Sequence, residues 1–298
     1  MPSPESAPPA LARAELDRSA AERDEPGVLD RLRSEPSTRV LVVARDKAPI
    51  SDSGALAWRA PDEAPEDAEW ALLGRAADGA ALLAAVMSEA PADEDWAGLR
   101  AVGAALAPED AAAFVTAVSL GRWLRDAPFC PACGERALVA QAGWSRRCPS
   151  CGRQHFPRTD PAVIVAVTSA VDPDRLLLGS NAMWAGTRFS CFAGFVEAGE
   201  SLEQAVHREV EEEAGVALTR LHYRGSQPWP YPRSLMVGYL AEARDDAAAR
   251  PDGEEIVDVR WFTRDEIGAG LRGDPAVGLP GPASIAHRLI ADWHAGRA

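Results

Sequence analysis

The sequence predicts a mixed α/β and α+β chain in three folded parts: an N-terminal α/β domain, a small metal knuckle and a C-terminal domain of strands and helices. Three observations carry that expectation. Apolar runs of strand length alternate with helical patterns on both sides of the middle. Between them, residues 127–157 are turn-rich and cysteine-bearing. Further on, HREVEEEAG at 207–215 crowds Glu209, Glu211, Glu212 and Glu213 together, although like charges at helical spacing repel.

Taken in order, residues 1–36 are rich in Ala, Pro, Glu and Arg without sustained apolar periodicity, and read as a mobile N-terminal arm with short helical stretches. Residues 37–126 form the first domain: RVLVVA from Arg39 and WALLGRA at 70–76 read as strands. GLRAVGAAL and PEDAAAFVTAVSLGRWLRDA read as helices, the second with Pro108 in its first turn. The knuckle at 127–157 follows, and residues 158–298 form the last domain. There AVIVAV (162–167), RLLLG (175–179), SLMVGYLAEA (234–243) and VDVRWF (257–262) read as strands. Residues 201–214 read as a helix with Ser201 as N-cap, and IAHRLIADWHAG (285–296) as a closing helix.

Composition narrows the function classes. Hydrophobic residues make up 47% and charged residues 26%, a globular profile, and no apolar run is long enough to suggest a membrane span. MPSPESAPPA lacks the basic and apolar regions of a secretory signal, so a cytoplasmic protein without a membrane partner is expected. A formal net charge of -14 argues against a non-specific grip on duplex nucleic acid, yet allows phosphate-bearing substrates bridged by cations.

Cys130, Cys133, Cys148 and Cys151 stand as C-x2-C-x14-C-x2-C. Four thiolates at that spacing complete a tetrahedral Zn²⁺ shell, a structural site with no position left for substrate. A pair of redox dithiols, or free buried cysteines, is the competing reading. Zinc ribbons often bind nucleic acid, so a binding role stays open. Cys191, in RFSCFAGF, reads as a small buried hydrophobe.

On the helix at 201–214, Leu202, Ala205, Val206 and Val210 make the apolar stripe, and Gly215 is placed to end it. Glu209, Glu212 and Glu213 share one edge, an oxygen-rich arrangement suited to Mg²⁺ or Mn²⁺; Glu211 points elsewhere. The competing reading is a solvated charged face. The wider window GFVEAGESLEQAVHREVEEEAGV resembles the Nudix box at Gly194, Glu200, Arg208, Glu209, Val210, Glu212, Glu213, Gly215 and Val216. That resemblance implies a loop-helix-loop metal site in an α/β/α sandwich, hydrolysing nucleoside diphosphates linked to another group. It implies metal ligation by Glu209, Glu213 and the carbonyl of Ala193, with Glu212 close by and Glu200 paired to Arg208.

SQPWPYPRS (226–234) reads as a loop, because three prolines remove three amide donors. Trp229 and Tyr231 are rigid rings able to stack on a base. The stretch resembles the signature of the NADH pyrophosphatase (NudC-like) subfamily, with Tyr231 in place of its usual Phe. The zinc ribbon ahead of the Nudix domain, the N-terminal α/β domain and HFPRTDPAVI at 155–164 are similar too. The resemblance then implies a dinucleotide pocket lined by Gln227, Pro228, Trp229, Pro230, Tyr231, Pro232, Arg233 and Ser234, with Phe156, Ala286 and Arg100 as further substrate contacts. It implies Glu255, with Glu254 as neighbouring competitor, as a later metal ligand, and a homodimer. The expected reaction is hydrolysis of NAD(H) to NMN(H) and AMP, with removal of NAD caps from RNA as a further activity. The alternatives are a Nudix hydrolase acting on ADP-ribose or another nucleoside diphosphate derivative, and a non-catalytic zinc-ribbon/Nudix ligand-sensing regulator.

Overall fold

A computed structural model describes residues 8–14, 16–91, 95–184 and 187–297. By its contacts the chain falls into two compact units. One comprises Leu11–Thr159 with Pro230–Arg233; the other comprises Asp160–Trp229 and Ser234–Ala298, with the first residues of the chain.

The unit that begins at Leu11 contains α1 (Val28–Arg33), β1 (Arg39–Ala44), β2 (Lys47–Pro49), β3 (Glu69–Arg75), β4 (Ala81–Met87), β5 (Trp96–Gly98), α2 (Leu99–Val102) and the long α3 (Pro108–Asp126). The strands form one sheet in the order β3-β4-β1-β2-β5, with β1 and β4 parallel. Its inner strand β4 was not visible in the sequence reading. ALLAAVM is apolar throughout, and six of its seven residues are buried, so no period marks it as strand rather than helix. The ribbon follows as three short strands, β6 (Leu138–Ala140), β7 (Ser145–Arg147) and β8 (Gln154–His155), in one antiparallel sheet.

The expected mobile arm is corrected from Pro8 onward; its first seven residues and Glu15 lie outside the described residues. Leu11, Val28 and Leu32 are buried. Arg13 donates to the carbonyls of Gly103 and Leu106 at 3.1 and 2.8 Å. Arg31 reaches Glu22, Glu25 and Glu35, and Glu22 also pairs with Arg75. Partners up to 93 residues away in sequence fix this segment, which is why local periodicity did not announce it.

The other unit is a layered sandwich. Its strands are β9 (Asp160–Thr168), β10 (Arg175–Asn181), β11 (Phe192–Phe195), β12 (Leu218–Trp229), β13 (Ser234–Ala243) and β14 (Ile256–Thr263), and its helices α4 (Leu202–Ala214), α5 (Arg264–Leu271) and α6 (Ile285–His294). The sheet order is β12-β13-β9-β10-β14, with β11 paired to β9. Alternation along β9 builds both layers. Val163, Val165 and Val167 pack with Ala205, Val206 and Val210 of α4. Ile164 and Ala166 face Ile267 of α5 and Ile285, Ala286, Leu289, Ile290 and Trp293 of α6. Cys191 is buried in this second cluster, where burial pushes its thiol up to about 12. That is the inert hydrophobe expected.

SQPWPYPRS is not a loop throughout. Ser226 to Trp229 continue β12, where Pro228 stands opposite Leu235; only Pro230–Arg233 turn the chain into β13. The prolines are tolerated because β12 is an edge strand, with one side of its ladder unpaired.

Candidate functional site

The loop and helix at 194–215 are built as their residues dictate. Ser201 caps α4, accepting from the Gln204 N–H while the Gln204 side chain returns to the Ser201 N–H. Gly215 ends the helix at φ +67, and its N–H donates to the Glu211 carbonyl at 2.9 Å. Along the helix the carboxylates separate by environment. Glu213 is 5% exposed, the Glu209 side chain 13% and the Glu212 side chain 60%. Glu211 is exposed.

Arg208 holds loop to helix. Its Nε and Nη2 donate to the two carboxylate oxygens of Glu200 at 2.7 and 2.9 Å, and Nη2 also reaches the Phe195 carbonyl at 2.9 Å. Nη1 donates to Glu209 at 2.8 Å and Glu212 at 3.0 Å. The Arg208 hydrogen bonds hold the Glu200 carboxyl down at about 2. Gly194 leaves room for its neighbour: a Cβ there would lie 1.9 Å from Cδ of Glu209 and would displace that carboxylate. The glutamate is thereby pressed against the backbone beside Ala193, whose N–H donates to Glu213 at 3.3 Å.

Glu213 is the most perturbed of these groups. Burial, then the charges of Glu255 and Glu209, push its carboxyl up to about 8. Glu209 is raised too, chiefly by burial. A buried carboxylate among other carboxylates is the environment a divalent cation relieves. The donor set of hard oxygens (Glu209, Glu213, Glu255 and the Ala193 carbonyl) suits Mg²⁺ or Mn²⁺. The carboxylates stand apart, however. Among the described residues only the four cysteines form a set whose ligand atoms all lie within 4.8 Å of one another.

Two residues that position Glu255 escaped the sequence reading. Asp252 Oδ1 accepts from the N–H groups of Glu254, Glu255 and Ile256 at 2.8, 3.1 and 2.9 Å. Asn181 Nδ2 donates to Glu255 at 3.3 Å. The Asp-Gly pair just ahead of Glu254 was the available signal for the first.

The residues expected to bind substrate scatter in role. Gln227 is fully buried, donating to the Ala283 carbonyl at 3.0 Å, so it ties β12 to the approach to α6. Ala286 is 2% exposed with its methyl in the core, which leaves its side chain no open surface for a ligand. Pro228 and Trp229 are half-buried at the end of β12, and Ser234 is buried at the start of β13. In the other unit Pro230 is buried and Pro232 and Arg233 are exposed; the Tyr231–Pro232 peptide is cis. The Arg100 guanidinium lies 3.8 Å from the ring centroid of Tyr231, with that of Arg122 at 5.3 Å. One face of this ring is thus taken by Arg100 rather than open for stacking. Phe156 is 57% exposed.

The four cysteines meet as the spacing requires. All are free of disulfides, and the Sγ atoms of Cys130 and Cys151 lie 3.7 Å apart, those of Cys133 and Cys148 3.5 Å. Zn–S bonds of about 2.3 Å in a tetrahedron put sulfurs roughly 3.8 Å apart, so the cluster fits zinc. The Cys151 N–H helps bring the Cys148 thiol down to about 7, toward the thiolate a metal needs. His155, unremarked in the sequence reading, places Nε2 3.1 Å from Cys130 Sγ, as groups that support a ligand do.

Three family models match along the chain. Residues 32–123 match the NADH pyrophosphatase-like rudimentary NUDIX domain, 125–156 the NADH pyrophosphatase zinc ribbon domain and 158–279 the NUDIX domain. The NAD-capped RNA hydrolase NudC of Mycobacterium bovis is 41% identical over 204 residues, which span 66% of this chain and 64% of that protein. The NAD-capped RNA hydrolase NUDT12 of Homo sapiens is 40% identical over 200 residues, 63% of this chain and 42% of that protein. The chain therefore spans less than two thirds of the length of these relatives. Among solved structures, a NUDIX hydrolase from Nitrosomonas europaea overlays with a TM-score of 0.37 at 25% identity, covering 47% of this chain and 91% of that one.

Proposed function

The chain belongs to the NUDIX family, in the three-part arrangement of the NADH pyrophosphatases, and from that premise we propose that it hydrolyses the pyrophosphate bond of NAD(H) to NMN(H) and AMP, and the same bond in NAD-capped RNA, releasing NMN(H) and leaving a 5′-monophosphate. The observation that carries the proposal is the burial of Glu213, 5% exposed on the helix edge it shares with Glu209, where burial and the charges of Glu255 and Glu209 push its carboxyl up. The names of the relatives favour NAD-linked substrates over ADP-ribose.

The roles proposed for the residues are these. Glu209, Glu213, Glu255 and the Ala193 carbonyl would hold Mg²⁺ or Mn²⁺, which when bound would supply charge neutralisation at the pyrophosphate and a lowered pKa for an attacking water. Arg208 fixes Glu209 against Gly194, and Asp252 fixes the loop bearing Glu255. Glu212, the most exposed of the three on its edge, is the candidate to accept the proton of the water. Trp229 offers a flat surface for one ring of the dinucleotide. Cytoplasmic location and a homodimer belong to the same proposal, and light scattering of purified protein checks the dimer. No helix among the described residues is long and apolar enough to cross a membrane.

Product analysis tests the reaction. Purified protein with Mg²⁺ or Mn²⁺ is expected to convert NADH to NMNH and AMP; cleavage of ADP-ribose with NADH left intact would sink the substrate assignment. Gly194→Ala supplies a second test. Its methyl needs the space of the Glu209 carboxylate, so Mn²⁺ affinity by titration calorimetry is expected to fall by about 10-fold or more, with zinc content unchanged. Unchanged Mn²⁺ affinity would remove Glu209 from the ligand set.

A further inference from the structure

The turn that joins β1 to β2 holds a residue that its conformation does not favour. Ala44 pairs with Lys47, so Arg45 and Asp46 alone make the reversal. Of the two, Arg45 has a positive φ, +56. Glycine is the usual occupant of a hairpin position that is left-handed at its first residue, and a side chain with a Cβ is strained there. Strain of this kind persists where the side chain has a use. Folding is a poor candidate for that use. The ion pair of Arg45 with Glu89 spans 4.0 Å between side chains 76% and 83% exposed, and such pairs add little stability.

Arg45 follows directly on β1 at the carboxyl end of the parallel pair β1 and β4, where Ala44 lies opposite Met87. Crevices at such strand ends are where α/β sheets take their ligands. A cavity of about 390 Å³ opens there, within the size range of ligand sites. Arg45, Ser88 and Glu89 line it from just beyond the strands, and Arg122, Arg125 and Asp126 from the end of α3. Gly121 and Val86 line it too. A Cβ on Gly121 would come within 3.2 Å of the Val86 side chain, so its absence lets α3 close onto β4. A second cavity of about 300 Å³ shares Arg45 and Glu89 and adds Lys47 and Asp46. The whole lining comes from the unit that begins at Leu11, and none of it belongs to the carboxylate site.

We infer that this crevice binds a phosphate monoester, held by Arg45, Arg122 and Arg125 with the Ser88 hydroxyl. Three guanidinium groups against two carboxylates leave its wall positive, on a chain of formal net charge -14. All three cations are arginines, whose planar fork matches phosphate oxygens in pairs. No aromatic ring lines the cavity, so the phosphate is the group recognised rather than a base. The carboxyl end of α3 carries partial negative charge that opposes an anion, and Arg125 in its last turn offsets it. Glu89 is solvated and at the limit of pairing distance, so a phosphate dianion takes Arg45 from it at small cost. Phosphate monoesters are the class that the proposed hydrolysis releases, which gives its products a second, non-catalytic place on the chain. That link rests on the proposed function; the crevice itself does not.

Titration calorimetry of the full-length protein, without added Mg²⁺ or Mn²⁺, compares inorganic phosphate, AMP and adenosine. Phosphate and AMP are expected to bind and adenosine is not. AMP binding tighter than phosphate would assign the crevice to nucleotides, and equal binding to the phosphate group alone. Arg45→Gly and Arg125→Gln are each expected to weaken phosphate binding by about 10-fold or more, with zinc content and initial-rate kcat/KM for NADH unchanged. Arg45→Gly should melt no lower than wild type, because glycine accepts φ +56 without strain. Loss of ligand without loss of stability is what a merely structural Arg45 would not show. Phosphate affinity unchanged in both variants would overturn the inference, as would a lower melting temperature in Arg45→Gly. So would AMP binding that appears only with Mn²⁺, which would place the nucleotide at the carboxylate site. Should wild type leave NADH intact, the hydrolase reading fails, and the phosphate affinities of the two variants still decide the crevice.

Discussion

Glu213→Gln is expected to lower kcat for NADH by roughly 10²- to 10³-fold, the loss seen when one preorganised electrostatic group is removed from a site. The same change is expected to stabilise the protein when no Mg²⁺ or Mn²⁺ is added. The Glu213 carboxyl titrates at about 8 in the folded chain against an ordinary value of 4.5. Between those values the folded chain keeps a proton that the unfolded chain has released. Stability therefore falls as pH rises through that window, and the cost is complete above it. A neutral glutamine does not carry this cost, and it can still accept from the Ala193 N–H. At pH 9 the variant should be more stable by up to about 5 kcal/mol, with the two proteins converging near pH 4.

Divalent cation should reverse the order. It binds the folded wild type and raises its melting temperature by mass action, about 2.7 kcal/mol at 100 times Kd, and should leave Glu213→Gln almost unmoved. Melting curves at pH 5, 7 and 9, with and without Mn²⁺, check both signs together. Equal stability of the two proteins at pH 9 without added metal would mean that Glu213 is solvated there and that its burial is not what prepares the site. A buried carboxyl that lowers stability while serving a metal site is the trade-off expected where function and stability compete for one buried position.

What was legible in the sequence divides along physical lines. The helix bearing the carboxylates was legible because its cap, apolar stripe and terminal glycine are all local, and the structure returns each of them. That one carboxylate would be buried and another exposed on the same edge was not legible. Glu213 and Glu212 are adjacent in sequence, and what distinguishes them is the packing of α4 against β9 and β11, a long-range fact. The need for Gly194 was equally hidden, since its crowding comes from Glu209 fifteen residues on. β4 was missed because an all-apolar strand of Ala and Leu carries no period, and the N-terminal segment because its partners are distant charges. SQPWPYPRS was misread because proline was counted against strand formation before the strand was known to lie at an edge.

Removal of zinc should have the largest effect on stability, because the ribbon has little apolar core of its own. Its strands are three, three and two residues long, Leu138 and Val139 face solvent, and the Cys130 and Cys148 thiols are among its few buried groups. A sheet of that size is marginal in water without further support. The metal therefore supplies most of the folding free energy of residues 127–158, on the order of 10 kcal/mol for a structural zinc site. Cys148→Ser is expected to lose bound zinc and to make this stretch the first point of cleavage in limited proteolysis. The disturbance should spread within its unit. Arg146 of β7 donates to the Leu124 carbonyl at the end of α3 and to Glu69 of β3 at 3.1 Å, and Trp144 donates to the Leu72 carbonyl at 2.6 Å. Once the ribbon loosens, these buried partners lose their donors, and the sheet edge at β3 loses its cover. The divalent-cation effect on melting should persist, since Glu209, Glu213 and Glu255 belong to the other unit. A Cys148→Ser protein that retains about one zinc per chain and the wild-type cleavage pattern would mean that three thiolates suffice, with His155, already 3.1 Å from Cys130, as the side chain placed to complete the shell.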